Sequence, residues 1–401
     1  MKQLAYIICY LIYPFSFLFP RCSRKYVFGS YRGSFADNAK YLFLYATEHG
    51  DNDISYIWLS INRETVKKVR NLGLRAYWVL GPRGLWHALT SKYWFVNSYT
   101  ADIMFCLSGR VVCINLWHGV AIKRIEFNAV SGPLADRYLK KNKKDVFCHP
   151  ESFRKPDWIL SSTPFQNHLF STSFKVPESR CIEMGYPRNW ILTANEEQRK
   201  RFIDKYEPEE TISLVKRMNG YDKVYIYMPT WRDSQRTIFT QSMDLNRLNS
   251  ILSARNSLLI LKPHANVILT DNILSLSNIL LADPKKIDIY PILPYVDVLI
   301  TDYSSIIYDW LLMEGKDVIL YLNDYDDYVK ERDFFYAYDE NVTGKRVYDF
   351  ESLCSCIDSG DYSLSDTERK RIIERFWGKT AGYDSSAMIL NFVKNERPGR
   401  I

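Results

Sequence analysis

The sequence predicts an α/β chain built from two Rossmann-like domains facing a central cleft. Three observations carry that expectation. Short runs rich in Val, Ile, Tyr and Trp alternate with helical stretches along most of the 401 residues, the pattern of a mainly parallel, doubly wound sheet. The alternation breaks once, at a polar helical stretch over 194–220, and then restarts. The residues able to do chemistry gather where the strand-like runs end, and open α/β sheets bind ligands beyond the carboxyl ends of their strands.

The elements follow in order. "KYVFGS" (25–30) reads as a strand and "ADNAKYLFLYATEHG" (36–50) as a helix closed by Gly50. "ISYIWLS" (54–60) is the next strand, and "RETVKKVRNLG" (63–73) a helix ending at Gly73. "RAYWVL" (75–80), "KYWFVNS" (92–98), "VVCINLWH" (111–118), "WILSSTP" (158–164) and "RCIEMGYP" (180–187) complete the first half. The polar stretch 194–220 reads as helix. The second half repeats the alternation with "KVYIYMPT" (223–230), "SLLILKPH" (257–264), "KIDIYP" (286–291), "VDVLITDYSS" (296–305) and "DVILYL" (317–322). Expected domain limits are 1–193, 194–375 and a C-terminal segment 376–401.

Composition narrows the partners. An apolar share of 47% supports a sizeable core, and 29 Tyr, 21 Phe and 10 Trp exclude general disorder. The net charge of +7 suits an anionic partner. No long basic block or nucleic-acid motif accompanies it, so nucleic acid is not expected. The eight cysteines lack zinc or redox spacing and read as reduced thiols of a cytosolic protein. The acid pairs in "DND" (51–53) and "DYDD" (324–327) read as solvent loops, so no metal site is assigned.

The segment "LAYIICYLIYPFSFLF" (4–19) is apolar apart from Ser16 and contains Pro14. It is short of the ~20 residues a spanning helix needs. No small-x-small cleavage site follows, which argues against a signal peptide. Two readings stay open: an interfacial helix resting on an anionic leaflet, or an ordinary buried first helix. The basic knot Lys140, Lys141, Lys143 and Lys144 is a solvated face or a second lipid contact.

Four strand ends carry the candidate chemistry. His118 ends a strand beside the permissive Gly119. Its ordinary pKa near 6.5 suits a general base, and the bland alternative is a histidine capping a loop. In "TDYSSIIYDW" (301–310) Ser304 is the expected N-cap. The helix start offers amide donors to a phosphate, with Ser304 and Ser305 adding hydroxyls, or it is plain capping. Asp309 accepts a ribose hydroxyl or faces solvent. In "YMPTWRD" (227–233) Arg232 either forks onto phosphate oxygens or pairs with Asp233. "LKPHAN" (261–266) brings Lys262 and His264 to a strand end, where His264 neutralises developing phosphoryl charge or belongs to a turn set by Pro263.

Taken together, these stretches resemble the CDP-glycerol glycerophosphotransferase family of teichoic acid and capsule polyol-phosphate transferases. "FGSYRGSFADNAKYLF" is similar to its N-terminal strand and Asp-Asn helix start, and "LWHGVAIKRI" to its Trp-His-Gly-Thr-Pro-Leu-Lys-Lys motif. "MGYPRN" is similar to its Gly-x-Pro-Arg turn, "YMPTWRD" to Pro-Thr-Trp-Arg, and "ITDYSSIIYDW" to its Thr-Asp-Tyr-Ser-Ser helix start. The chain departs from the pattern at Val120 and Ala121, at Pro263 before His264, and at Trp190.

The resemblance implies a GT-B fold. It implies transfer of glycerol phosphate or ribitol phosphate from a CDP-polyol to an acceptor hydroxyl, with CMP released. The functional histidines carry over to His118 and His264. Donor contacts fall on Thr230, Arg232, Asp302, Ser304, Ser305 and Asp309. Gly119, Lys123 and Arg188 become acceptor-side or structural candidates. Residues after about 376 cross back to the first domain. No cofactor is implied beyond the CDP-polyol substrate. The implied acceptor is lipid-linked or a polysaccharide, at the cytoplasmic face of an anionic membrane, with the protein peripheral to it. The alternatives are a GT-B glycosyltransferase using a nucleotide sugar and a catalytically idle membrane-associated scaffold.

Overall fold

The computed structural model describes residues 2–230, 243–262, 276–284, 286–325, 328 and 334–396. The chain forms two compact units. The first comprises residues 1–190 together with 376–401, the second residues 191–375.

The first unit holds a seven-stranded parallel sheet. Its strands are β1 (Cys22–Phe28), β2 (Ser55–Ser60), β3 (Ala76–Trp78), β4 (Ser91–Val96), β5 (Val112–Asn115), β6 (Trp158–Ser161) and β7 (Cys181–Glu183), in the order β3-β2-β1-β4-β5-β6-β7. All seven strand-like runs of the first half are present. Val27, Ile57, Leu59, Trp94, Val96 and Cys113 alternate inward to form one face of the core. The order reverses between β1 and β4, where a doubly wound sheet opens a crevice.

The second unit holds six parallel strands: β8 (Lys223–Met228), β9 (Ser257–Leu261), β10 (Ile279–Leu281), β11 (Val298–Thr301), β12 (Asp317–Tyr321) and β13 (Lys345–Val347), in the order β10-β9-β8-β11-β12-β13. Its switch point lies between β8 and β11. Two expectations are corrected here. "KIDIYP" (286–291) is turn rather than strand, and the edge strand is the apolar triplet Ile279–Leu281, which pairs with β9. The stretch 194–220 is two helices, Glu196–Tyr206 and Glu209–Met218. Pro208 separates them, because it holds the preceding Glu207 in extended backbone (φ −96°, ψ 152°). Two parallel doubly wound units in one chain make this a GT-B-like fold.

The N-terminal helix Lys2–Phe15 is amphipathic in its contacts. Tyr13 stacks on Phe105 with ring centroids 4.6 Å apart, and Ser16 just beyond is buried. The opposite side is open to solvent: Leu11 is 64% exposed, Phe15 64% and Leu18 76%. Ile7, Tyr10 and Leu11 also line an apolar groove of about 800 Å³ with Val146, Phe147, Phe153, Lys141 and Lys143. No helix among the described residues is long and apolar enough to cross a membrane.

Candidate active site

Strand β5 ends at Asn115, and the chain turns sharply over the next four residues. The Asn115 side chain accepts the Trp117 amide at 2.9 Å and donates to the Ser98 carbonyl at 2.8 Å. Trp117 and Gly119 adopt positive φ of 50° and 116°. Gly119 adopts its angle freely, whereas the non-glycine Trp117 is strained and persists there only because its surroundings over-determine it. The buried Trp117 ring meets Phe174 edge-on at 4.8 Å, Asn38 donates to the Trp117 carbonyl at 2.9 Å, and Tyr186 donates to the Gly119 carbonyl at 3.2 Å. Between these two fixed residues the His118 side chain is exposed, its ring beside that of Trp117 with centroids 4.0 Å apart.

Arg188, from the turn after β7, ties the ends of distant strands to this turn. Its guanidinium donates to Asp37 Oδ1 at 2.6 Å and to the His118 carbonyl at 2.9 Å, and its amide donates to Asn38 Oδ1 at 3.1 Å. Arg188 is buried, as an Arg fork serving two acceptors in a fixed geometry can be. Asp37 itself has φ 62°, another constrained residue at the same place. Lys123 lies half-buried five residues past His118.

Desolvation lowers the pKa of His118 below the ordinary 6.5, and the Arg188 charge pushes the same way. The Asp37 carboxylate acts against the shift. The imidazole is therefore neutral near pH 7. The first unit thus brings His118, Gly119 and Arg188 together.

In the second unit hydrogen bonds bridge the switch point. The Thr230 amide, just past β8, donates to both carboxylate oxygens of Asp302, just past β11, at 2.8 and 3.1 Å. The Thr301 hydroxyl donates to the Met228 carbonyl at 2.8 Å, and the Tyr338 hydroxyl to the Asp302 carbonyl at 2.9 Å. Ser304 and Ser305 follow, both half-buried. The helix is Ile306–Trp310 with Ser305, not Ser304, at its N-cap. Ser305 already has helical backbone angles (φ −68°, ψ −7°), so its hydroxyl makes no capping bond. Asp309 is buried and accepts the Tyr290 hydroxyl at 2.5 Å, which rules out the solvent-facing alternative. Lys262, at the end of β9, has its pKa lowered by desolvation, partly offset by Asp288. Arg232 and His264 lie outside the described residues.

Sequence reading left several positioning residues without a role. Asn97 follows β4, Asn115 ends β5, and Asn38 lies in the first turn of the helix Asp37–His49. Their signal was present in "FVNS", "CINLW" and "ADNA": a short amide side chain placed where an apolar strand stops or a helix starts.

The model of the family described as CDP-glycerol:poly(glycerophosphate) glycerophosphotransferase matches residues 11–394. The chain belongs to that family. As a glycerophosphotransferase-family enzyme it is 25% identical over 354 residues to a teichoic acid poly(glycerol phosphate) polymerase of Bacillus spizizenii, covering 85% of this chain and 84% of the relative. It is 26% identical over 367 residues to a teichoic acid glycerol-phosphate transferase of Staphylococcus aureus, covering 86% of each. Among solved structures, the wall teichoic acid polymerase TagF superposes with a TM-score of 0.75 at 20% identity, covering 98% of this chain and 96% of that one. The superposition confirms the GT-B-like fold of this glycerophosphotransferase-family chain.

Proposed function

We propose that this enzyme transfers glycerol phosphate or ribitol phosphate from a CDP-polyol to an acceptor hydroxyl during synthesis of teichoic acid or a capsule polymer. The acceptor oxygen attacks the β-phosphorus of the donor. The bond from that phosphorus to the bridging oxygen breaks, CMP leaves with the electron pair, and His118 takes the proton of the attacking hydroxyl. Thr230, Asp302, Ser304, Ser305 and Asp309 form the donor side, with Arg232 and His264 assigned to the phosphates. Gly119, Lys123 and Arg188 serve the acceptor side and the His118 turn.

The observation that carries the reading is the condition of His118: an exposed imidazole, neutral near pH 7, on a turn fixed at both neighbours. A general base needs its acceptor nitrogen free and its geometry held. The donor diphosphate is anionic, so an approaching nucleophile must be screened. Hydroxyl and amide donors with an Arg and a His supply that screening by position alone, and no cofactor is called on.

The same reading makes the enzyme peripheral to the cytoplasmic face of a membrane, where a lipid-linked acceptor would lie. The exposed Leu11, Phe15 and Leu18 supply apolar contact, and Lys141 and Lys143 beside the groove favour anionic headgroups.

Purified enzyme incubated separately with CDP-glycerol and CDP-ribitol, plus an acceptor oligomer, tests the assignment. CMP release with a product heavier by one polyol phosphate supports it. Turnover only with a nucleotide sugar overturns it.

A further inference from the structure

The turn that follows β1 presents a strained cation. Arg32 adopts φ 54° and ψ 24°, the left-handed region that a non-glycine side chain resists. Its neighbours leave the backbone no relief. The Gly33 amide donates to the Ser30 carbonyl at 2.9 Å, the Ser60 hydroxyl to the Gly33 carbonyl at 2.6 Å, and the Ser34 hydroxyl to the Tyr31 carbonyl at 2.9 Å. A Cβ on Gly33 would meet Ser60 Oγ at 2.7 Å, so the turn packs directly on the end of β2. The outcome is two exposed neighbours, Tyr31 and Arg32, with the guanidinium over the phenol ring, 5.0 Å from its centroid. Among the described residues the guanidinium has no hydrogen bond or ion pair.

This turn lies at the same end of the sheet as His118. β1, β4 and β5 are parallel neighbours, so the loops that follow them share that end. Two strand spacings, about 10 Å, separate β1 from β5. Hydrogen bonds tie the loop down on both sides of Arg32. Asn97, just past β4, donates to Ser30 Oγ at 2.8 Å, and the Asn38 side chain donates to the Trp117 carbonyl at 2.9 Å.

We propose that Arg32 binds a phosphodiester of the acceptor and so favours acceptors with a phosphate next to the attacking polyol; the proposal rests on the reading of the chain as a polyol-phosphate transferase. Such an acceptor ends in a polyol whose hydroxyl attacks, and its nearest phosphate lies one polyol back. That anion falls beside His118 rather than on it, where a nearby strand end supplies the cation. A planar guanidinium bonds two phosphate oxygens at once. Tyr31 restricts its swing, so less freedom is lost on binding. Arg188 cannot take this part, because it is buried and already serves Asp37 and the His118 carbonyl.

Steady-state kinetics with CDP-glycerol and two acceptors test the proposal. One acceptor is a short glycerol phosphate oligomer, the other an uncharged glycoside ending in glycerol. Arg32→Gln should raise the oligomer KM about tenfold, the worth of one hydrogen bond to a charged group. The donor KM should stay within about twofold, and so should the KM of the uncharged acceptor. Arg32→Lys keeps the charge but loses the fork, so its oligomer KM should fall between. Added salt should raise the oligomer KM of the wild type more steeply than that of Arg32→Gln. The oligomer carries no lipid, so its response separates a polymer phosphodiester from a lipid headgroup.

A wild-type oligomer KM in Arg32→Gln overturns the proposal and leaves the functional reading standing. An equal rise for both acceptors gives Arg32 a merely structural role and overturns it as well. Arg32→Gly guards against misfolding, because glycine suits φ 54°. That variant should melt no lower than the wild type and show the same selective rise; a wild-type oligomer KM in it overturns the proposal. Absence of CMP release by the wild-type enzyme with either CDP-polyol overturns the functional reading, and the proposal with it.

Discussion

At the scale of single residues, His118 has its charge state, orientation and exposure set by different neighbours. Removing the imidazole by His118→Ala should lower kcat by about 10²–10⁴-fold, the usual worth of a general base. Binding of CDP-glycerol, measured by calorimetry, should persist. The pKa shift gives a second expectation. Desolvation places the folded-state pKa below 6.5, so protonation silences the base only below that value. The acidic limb of kcat/KM should therefore fall below pH 6.5. The sign for stability is the same. An unfolded histidine binds its proton first as pH drops, so this group's contribution is intact above about 6.5 and lost as pH falls through the folded value.

Arg188→Lys supplies a third residue-scale test. A lysine keeps the charge but cannot serve Asp37 and the His118 carbonyl as a planar fork. Hydrogen bonds to charged groups are worth about 1.5–3 kcal/mol each. The variant should lower kcat by at least about tenfold with a drop in Tm, measured by CMP release and calorimetry.

At the scale of elements, the turn after β5 depends on a backbone that side chains resist. Gly119 at φ 116° lies where an L-residue is strained by about 1–3 kcal/mol. Gly119→Ala should cut kcat sharply while leaving donor affinity intact, since the donor-side residues are on other strands. Comparing kcat with donor Kd separates the two.

Element scale is also where sequence legibility divides. The central strands of the first sheet could be read because buried parallel strands are apolar runs punctuated by polar residues, as in "YIWLS" and "YWFVNS". β10 and β13 could not. "ILL" and "KRV", three residues each at the sheet's edges, lack the longer flanking stretch that made the equally short β3 ("RAYWVL") and β7 ("RCIEMGYP") legible. The same limit hid the site's scaffolding. "LWHG" and "TDYSS" stand out because unusual residues sit together, and His118 with Ser304 and Ser305 could be named from them. The contact from Arg188 to Asp37 joins residues 151 positions apart, and nothing local in the chain announces it. Asp309 shows the reverse: helical spacing placed it correctly on the turn after Ser305, but only packing reveals that it faces Tyr290.

At the scale of the whole molecule, we propose that the exposed apolar side of the first helix holds the enzyme at a membrane surface. Burying a Leu or Phe fully contributes about 1.5–3 kcal/mol. Replacing Leu11 and Phe15 together by serine should therefore weaken co-sedimentation with anionic vesicles by about tenfold or more. Turnover on a short soluble acceptor should be unaffected, because neither side chain belongs to the proposed catalytic groups. Equal vesicle binding by the variant would return the segment to the role of an ordinary first helix.

The last 26 residues belong to the unit that the first 190 begin. The Ser162 hydroxyl donates to the Phe376 carbonyl, its own carbonyl accepts from Thr380, Tyr45 donates to Asp384, and Asp51 pairs with Lys394. A ribosome therefore finishes the interior segment 191–375, contiguous and able to close on itself, before the earlier-made unit receives its final helix. Throughout that interval the nascent seven-stranded sheet waits with one flank uncovered. A premature stop near residue 375 would consequently harm the half of the enzyme synthesised first, the half that carries His118.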